Sequence, residues 1–360
     1  MREAVDGSFG NPSSVHQFGR KSRTLVEEAR KYIAGSLNCS TGEIVFTSGG
    51  TEADNAALLL PVRDLGIQRI ITAPTEHHAV LHVAESLAEK YGVTLELLPV
   101  SENGEPGLNQ LRSLLQKDIP TLVSLMHGNN EIGNLIDLHE VGGICREYGA
   151  LFHSDTVQTV GHFSFDLAST PVDFITASAH KFHGPKGVGF LYVNKELRVS
   201  SFITGGAQER NMRGGTENIL GITGLHTALK AAHNNLTAES EYITGLKRYF
   251  LAELRQEFPE MIVNGLGAEQ DRSLYTVLNV GFPMLENDSM FLFNLDLRGI
   301  AVSGGSACAS GSAKGSHVIE AISPEINYPV IRFSFGKDNT RGDLDYVLSV
   351  LREVVPTEAK

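Results

Sequence analysis

Lys181 closes the segment Ser178-Ala179-His180-Lys181, directly after an apolar run, Asp173 to Ala177, that reads as a buried strand. An ammonium is costly to bury unpaired, so a lysine at such a point sits in solvent or is held there for use. Held for use, its amine can join a carbonyl group as a Schiff base. Asp155 stands in Phe152-His153-Ser154-Asp155-Thr156-Val157-Gln158, at the end of another apolar strand. A carboxylate there can pair with a protonated pyridine nitrogen and keep the ring able to accept electrons from a carbanion. The plainer fate of both residues is a surface lysine and a turn-capping aspartate.

Three further segments end strands in the same way. Phe46-Thr47-Ser48-Gly49-Gly50-Thr51-Glu52 reads as strand, glycine turn and helix start. Exposed N–H groups and the positive end of a helix suit a phosphate there, with Thr51 adding a hydroxyl. An ordinary N-cap has the same residues. The spacing is not the G-x-G-x-x-G of a dinucleotide site. Thr75-Glu76-His77-His78 offers His77 to stack on a flat ring or relay a proton, or simply to cap a helix. Met126-His127-Gly128-Asn129-Asn130-Glu131 brings more polar groups to a strand end.

Cys308 lies in Ser303-Gly304-Gly305-Ser306-Ala307-Cys308-Ala309-Ser310-Gly311-Ser312. Small residues permit a mobile loop, which suits a thiol that must meet one molecule and then another. Cys39 and Cys145 fit a buried, inert role better.

The elements that position these residues follow from the hydrophobic pattern. Strands are predicted at Glu43–Thr47, Arg69–Ala73, Thr94–Val100, Thr121–Met126, Ala150–Ser154, Asp173–Ala177 and Gly187–Val193. Helices are predicted at Thr51–Leu60, His78–Tyr91, Leu108–Gln116 and Leu138–Tyr148. The alternation predicts an α/β fold with a mainly parallel seven-stranded sheet, its last strand antiparallel because its connection is short. A smaller α+β domain follows. It holds a helix at Glu239–Phe258, a strand at Tyr275–Gly281, a helix at Ser289–Arg298, a strand at Ile331–Phe335 and a helix from Thr340. The predicted division is 1–236 and 237–360.

At 360 residues, with 41% apolar and 20% charged residues, the chain can bury a large core. A net charge of −12 argues against nucleic acid as the main partner. The most apolar stretch, around Ala56 to Val62, is far too short to span a bilayer, so no membrane role is expected. Three scattered cysteines, without an export signal, predict free thiols and a cytoplasmic location.

The segments quoted above, with Arg213-Gly214-Gly215-Thr216-Glu217-Asn218, resemble the class V aminotransferase family of pyridoxal-phosphate enzymes. Within it they are similar to the NifS-like cysteine desulfurases. The similarity runs from Gly10-Asn11-Pro12-Ser13-Ser14 to Ile331-Arg332-Phe333-Ser334. It implies the fold type I architecture, a large cofactor-binding domain and a small domain carrying the cysteine loop.

It further implies that Lys181 carries pyridoxal 5'-phosphate, Asp155 pairs with the ring nitrogen and His77 stacks on the ring. Gln158 and Asn130 would approach the ring hydroxyl and the substrate. Gly50, Thr51, Ser178 and His180 would hold the phosphate. Thr216 would reach the phosphate of a neighbouring subunit in a homodimer. Arg332 would grip the carboxylate of L-cysteine, which suits a planar fork of donors. Cys308 would take the sulfur as a persulfide and pass it to an iron–sulfur scaffold or another acceptor, leaving alanine. No metal is implied.

Relatives of this kind carry an Asp-Asn-Ala-Ala-Thr-Thr-like segment ahead of Gly-Asn-Pro, and here Gly10 stands nine residues from Met1. That difference makes a catalytically impaired homologue, with the cofactor-site residues kept, one of the alternative readings. An aminotransferase, a selenocysteine lyase and a non-catalytic scaffold on the same fold are the competing readings.

Overall fold

The computed structural model describes residues 1–285, 290–304 and 316–356. The chain packs as two compact units. One comprises Met1–Leu98, Leu108–His127 and Asp137–Leu236, the other Pro99–Gly107, Gly128–Ile136 and Thr237–Lys360.

The first unit opens with helices α1 (Arg2–Gly7) and α2 (Gln17–Ser36). Then come β1 (Ile44–Thr47), α3 (Gly50–Asp64), β2 (Arg69–Thr72), α4 (His78–Tyr91) and β3 (Thr94–Leu97). They are followed by α5 (Leu108–Leu115), β4 (Thr121–Ser124), α6 (Leu138–Glu147), β5 (Leu151–Asp155), β6 (Phe174–Ser178) and β7 (Gly189–Val193). The strands form one seven-stranded sheet in the order β1-β7-β6-β5-β4-β2-β3. β2, β3, β4, β5 and β6 run parallel to one another, while β7 is antiparallel to both β6 and β1. The sequence pattern predicts this reversal, because the short link after β6 leaves no room for a crossover helix. β1, β2, β4, β6 and β7 are buried along their whole length, as strands covered on both faces must be. Since β7 opposes both neighbours, β1 runs with β5 and β6, and their carboxyl ends share one edge.

Two regions depart from the predicted pattern. No element is predicted ahead of Glu43, yet α2 is 20 residues long. Its buried face mixes Val26, Ala29, Ile33 and Ala34 with Gly19, Ser22 and Arg30, which blurs the apolar period. The helix predicted from Glu239 begins instead at Ile219 and runs unbroken to Glu257, as α7. The polar stretch around Asn235 reads as a boundary in sequence. In the helix, the Asn235 side chain bonds back to the Ala231 carbonyl at 2.9 Å and the turn continues.

In the second unit, β8 (Ile262–Val263), β9 (Val277–Gly281) and β10 (Val330–Ser334) form an antiparallel sheet in the order β10-β9-β8. The helices α8 (Phe291–Asp296), α9 (His317–Ile322) and α10 (Arg341–Val354) complete the elements. α8 is shorter than predicted, and part of the predicted span lies outside the described residues. α10 starts with the predicted cap: Thr340 and Asp343 satisfy each other's backbone N–H groups. The core of this unit joins Leu246, Phe250 and Leu254 of α7, and Phe258 just beyond its end, to Leu278, Val280, Ile331 and Phe333 of the sheet and Leu348 of α10. Gly128–Ile136 belongs here, because Asn134 bridges to Ser273 and Leu135 N–H donates to Arg272 O at 2.9 Å.

Among the described residues, no helix is long and apolar enough to cross a membrane.

Candidate active site

β5 ends on Asp155 and β6 on Ser178, and β1 leads into the glycine turn at Gly49. Open α/β sheets bind ligands at this edge. Gly49 caps α3 with φ +153°, a backbone state that favours glycine, and no side chain caps the helix start. Gly50 packs so closely that an added Cβ would lie 2.7 Å from Val157 Cγ2 and 3.8 Å from Ser178 Cβ. The Ser178 hydroxyl lies 2.9 Å from His180 Nδ1. Gly50, the exposed Thr51 and Ser178 therefore form one cradle: an open helix start beside a hydroxyl that is itself paired with an imidazole. This is anion chemistry, and it fits a phosphate.

Asp155 is buried, accepts the Val157 N–H at 2.8 Å and lies 3.5 Å from the Thr176 hydroxyl. Burial, with the nearby Asp54 carboxyl, pushes its pKa up to about 7, and the Val157 N–H bond and the Lys181 charge pull the other way. A dry carboxyl held this high is stabilised as an anion by a cationic partner, which a protonated ring nitrogen supplies. The residues present thus fit pyridoxal phosphate at both of its ends.

Lys181 sits on a single 3-10 turn, Ala179–Phe182, one strand from Asp155. Its carbonyl lies 3.0 Å from His162 Nε2, which fixes the turn while the side chain is exposed. Its charge and that of Lys186, after burial, hold the His180 pKa below the usual histidine value. His77 caps α4, with Nδ1 accepting the Ala79 N–H at 3.1 Å. A lone pair on Nδ1 puts the proton of the neutral ring on Nε2. The capping role is therefore present, and the ring remains half-buried at the strand edge. Gln158 is half-buried in the turn after β5, next to Val157. Thr216 is exposed, in a segment tied down just ahead of it. Gly214 N–H donates to Ile203 O at 2.8 Å, and Arg213 Nε donates to Glu52 Oε1 at 3.0 Å.

The second unit gathers the other predicted residues. Arg332, on β10, donates from Nη1 to the Asn130 main-chain oxygen at 2.8 Å. Its Nε is buried with no acceptor among the described residues. Burial pulls its pKa below the usual arginine value, and the Glu131 charge opposes that. Glu131 is fully buried. Its Oε2 accepts the Ser316 hydroxyl, its main-chain oxygen accepts from Asn279 Nδ2 at 3.1 Å, and Oε1 has no donor among the described residues. An arginine fork with an open donor, its charge supported by a nearby carboxylate, is a receptor for a small carboxylate. Cys308 lies outside the described residues. Cys39 and Cys145 have thiols pushed up to about 12, by burial first and by Glu43 and Asp173 next.

Sequence reasoning passed over Glu131, although it adjoins Asn130, and gave Asp54 and Thr176 no role. Asp54 is legible in retrospect: it is an acid inside the apolar helix run Ala53-Asp54-Asn55-Ala56-Ala57, and it is fully buried.

The family described as "Aminotransferase class-V" matches residues 1–347. A cysteine desulfurase IscS of Dictyoglomus turgidum is 42% identical over 359 residues, covering 99% of this chain and 90% of the relative. A putative cysteine desulfurase IscS 1 of Bacillus subtilis is 42% identical over 355 residues, covering 97% and 92%. Among solved structures, a NifS-like protein superposes with a TM-score of 0.88 at 33% identity, covering 98% of this chain and 93% of that one. SspA in complex with cysteine superposes at 0.80 and 29% identity, covering 94% of each chain.

Proposed function

We propose, for a chain that belongs to the class V aminotransferase family, a set of residue roles in a pyridoxal-phosphate-dependent cysteine desulfurase. The enzyme converts L-cysteine to L-alanine and transfers the sulfur onward. The observation that carries the reading is Asp155: a buried carboxyl at a strand end, raised by burial and stabilised by the charge of Lys181 one strand away.

Gly50, Thr51, Ser178 and His180 hold the phosphate, and Asp155 keeps the ring nitrogen protonated. His77 lies against the ring, with Gln158 and Asn130 at the ring hydroxyl and the substrate. When bound, pyridoxal phosphate supplies an electron sink for the charge that develops at the substrate Cα. Lys181 would hold the cofactor through Nζ and would move the substrate Cα proton on the same atom. Arg332 grips the substrate carboxylate, and its buried Nε offers a second donor to a two-oxygen acceptor. The Cys308 thiolate attacks the substrate sulfur. An S–S bond forms, the substrate C–S bond breaks with its electron pair on carbon, and protonation of that carbon together with return of the Cα proton from Lys181 Nζ gives alanine. Cys308 then carries a persulfide that a thiol acceptor or an iron–sulfur scaffold removes.

Residues 1–236, apart from Pro99–Gly107 and Gly128–Ile136, which fold with the second unit, serve as the cofactor-binding domain and residues 237–360 as the domain that carries the cysteine loop. Thr216 serves the phosphate of a second subunit, so the working form is a homodimer. The enzyme works in the cytoplasm, where the thiols Cys39, Cys145 and Cys308 stay reduced.

Mixing the protein with pyridoxal phosphate tests the site directly. The expected result is a visible absorption band that borohydride fixes as a covalent adduct on the peptide containing Lys181. Lys181→Ala should yield no adduct. An adduct on another lysine, or none on the wild type, overturns the reading.

A further inference from the structure

Asp54, Thr176 and Asp155 meet behind the cofactor-facing edge of the sheet. Asp155 and Thr176 are register partners on β5 and β6, so their side chains share a face. α3 brings Asp54 onto that face. The Thr176 hydroxyl donates to Asp54 Oδ1 at 2.8 Å and stands 3.5 Å from Asp155 Oδ1. His153 Nε2 is 3.5 Å from Asp54 Oδ1, and His153 Nδ1 is 2.8 Å from the Ser124 hydroxyl. Asp54 and His153 are fully buried and Asp155 nearly so.

We propose that Asp54 is a positioning residue for Asp155: through the Thr176 hydroxyl it holds the proton of this carboxyl pair, leaving Asp155 as the ionised partner of the cofactor ring nitrogen. The inference rests on the cofactor reading above and goes beyond it.

A hydroxyl has one proton and can donate to one acceptor at a time. With Asp54 ionised, the Thr176 proton points at Asp54; the 2.8 Å separation fits a hydrogen bond in either direction. With Asp54 protonated, its own O–H donates to Thr176 Oγ1, and the Thr176 proton turns to Asp155. The second arrangement leaves one negative charge, on Asp155. Buried carboxyls in one dry pocket cannot all ionise freely: burial raises Asp54 and Asp155 to about 7, and the nearby Glu76, pushed well above the usual carboxylate range by burial and by both aspartates, adds to the repulsion. His153 does not neutralise them, because burial holds its own pKa down to about 4. The Val157 N–H, which donates to Asp155 Oδ1 at 2.8 Å, and then the Lys181 charge break the tie, since both favour the ionised form of Asp155. The bound ring nitrogen completes the bias. No net proton needs to leave the pair when the cofactor arrives. The proton only changes which carboxyl it rests on.

The test uses the full chain stripped of cofactor and titrated with pyridoxal phosphate, for wild type, Asp54→Asn, Thr176→Val and Thr176→Ser. Each is measured alone and combined with Asp155→Asn. The amide that Asp54→Asn introduces can donate to Thr176 as protonated Asp54 does, so this variant keeps wild-type affinity. Thr176→Val removes a hydrogen bond to a charged group and weakens binding about tenfold or more. Thr176→Ser restores the hydroxyl and the affinity. In the Asp155→Asn background, Thr176→Val adds no further loss. Pyridoxal phosphate labelled with 15N in the ring keeps the protonated chemical shift in Asp54→Asn. Equal loss from Thr176→Val in both backgrounds, or an Asp54→Asn variant as weak as Thr176→Val, overturns the relay. A wild type that binds cofactor while every variant matches it overturns the relay alone. A wild type that binds none removes the cofactor reading as well.

Discussion

Arg332 Nη1 donates to the main-chain oxygen of Asn130 at 2.8 Å, so two residues assigned to the substrate are tied to each other within the second unit. The guanidinium is thereby oriented with its Nε still buried and open among the described residues. Arg332→Lys keeps a charge but loses the fork. The KM for L-cysteine should rise about tenfold or more, the worth of one hydrogen bond to a charged group, with a smaller change in kcat. Steady-state kinetics separates the two. A fall in kcat at constant KM would contradict the assignment.

Glu131 is fully buried and holds the Ser316 hydroxyl, which in turn caps α9 by accepting the Ile319 N–H at 3.1 Å. Glu131→Ala strands that hydroxyl and removes the charge that supports Arg332. The second unit should lose about 1–3 kcal/mol. Urea unfolding followed by Tyr275 or Phe signals from this unit reads the shift.

Arg30 and Glu209 form a buried two-pronged ion pair at 2.9 Å on both arms, and Glu209 also accepts the Phe46 N–H at 2.8 Å. Glu209 begins a run of three residues, Glu209, Arg210 and Asn211, with φ of +44°, +57° and +66°. Such left-handed backbone needs outside support when no glycine supplies it. Glu209→Ala leaves Arg30 buried without its main partner and should cost about 3–5 kcal/mol. It should also free the segment that leads to Thr216. Thermal unfolding and limited proteolysis near Arg210 report both effects.

The pH dependence of the cofactor-free protein carries opposed contributions. Asp54 and Asp155 have folded values of about 7, above the unfolded aspartate value. Between about pH 4 and about 7 the folded form therefore binds more of these protons, and the stability they contribute falls as pH rises. His127 and His153 are held down to about 4 by burial, below the unfolded histidine value. Their contribution rises with pH over about 4 to 6.5. Asp155→Asn removes one falling contribution. The variant should gain on the wild type as pH rises through this window and hold its gain above it. Denaturation midpoints taken from about pH 5 to about pH 8 check the sign.

At about pH 8 the thiols of Cys39 and Cys145, both pushed up to about 12, are almost wholly protonated. Brief treatment with iodoacetamide should label Cys308 alone. Peptide mass spectrometry reads the result, and label on Cys145 would contradict its burial.

Much of the sheet was legible because each central strand is short, apolar and followed by a turn, as at Phe174–Ser178 before Lys181. Strand ends then located Asp155, Ser178 and the Gly49 turn without further help. The N-terminal helix was not legible, because Arg30 is buried on its inner face through a partner 179 residues away. Nor was the start of α7, since His233 and Asn235 imitate a linker. Pro99–Gly107 and Gly128–Ile136 fold with the C-terminal unit through long-range pairs such as Asn134 with Leu266 N–H at 2.7 Å, which no local pattern encodes. The role of Thr176 depends on register between β5 and β6, and that too is invisible in one sequence.

The central claim, cofactor chemistry at Lys181 that delivers sulfur to Cys308, is tested most directly by one assay. The protein is loaded with pyridoxal phosphate, given L-cysteine and a thiol reductant, and sampled for alanine and sulfide together. Equal amounts of both are expected without any oxo-acid partner, and Cys308→Ala should keep the cofactor band while sulfide release is lost. Alanine that appears only with an oxo acid, or sulfide release unchanged in Cys308→Ala, would contradict it.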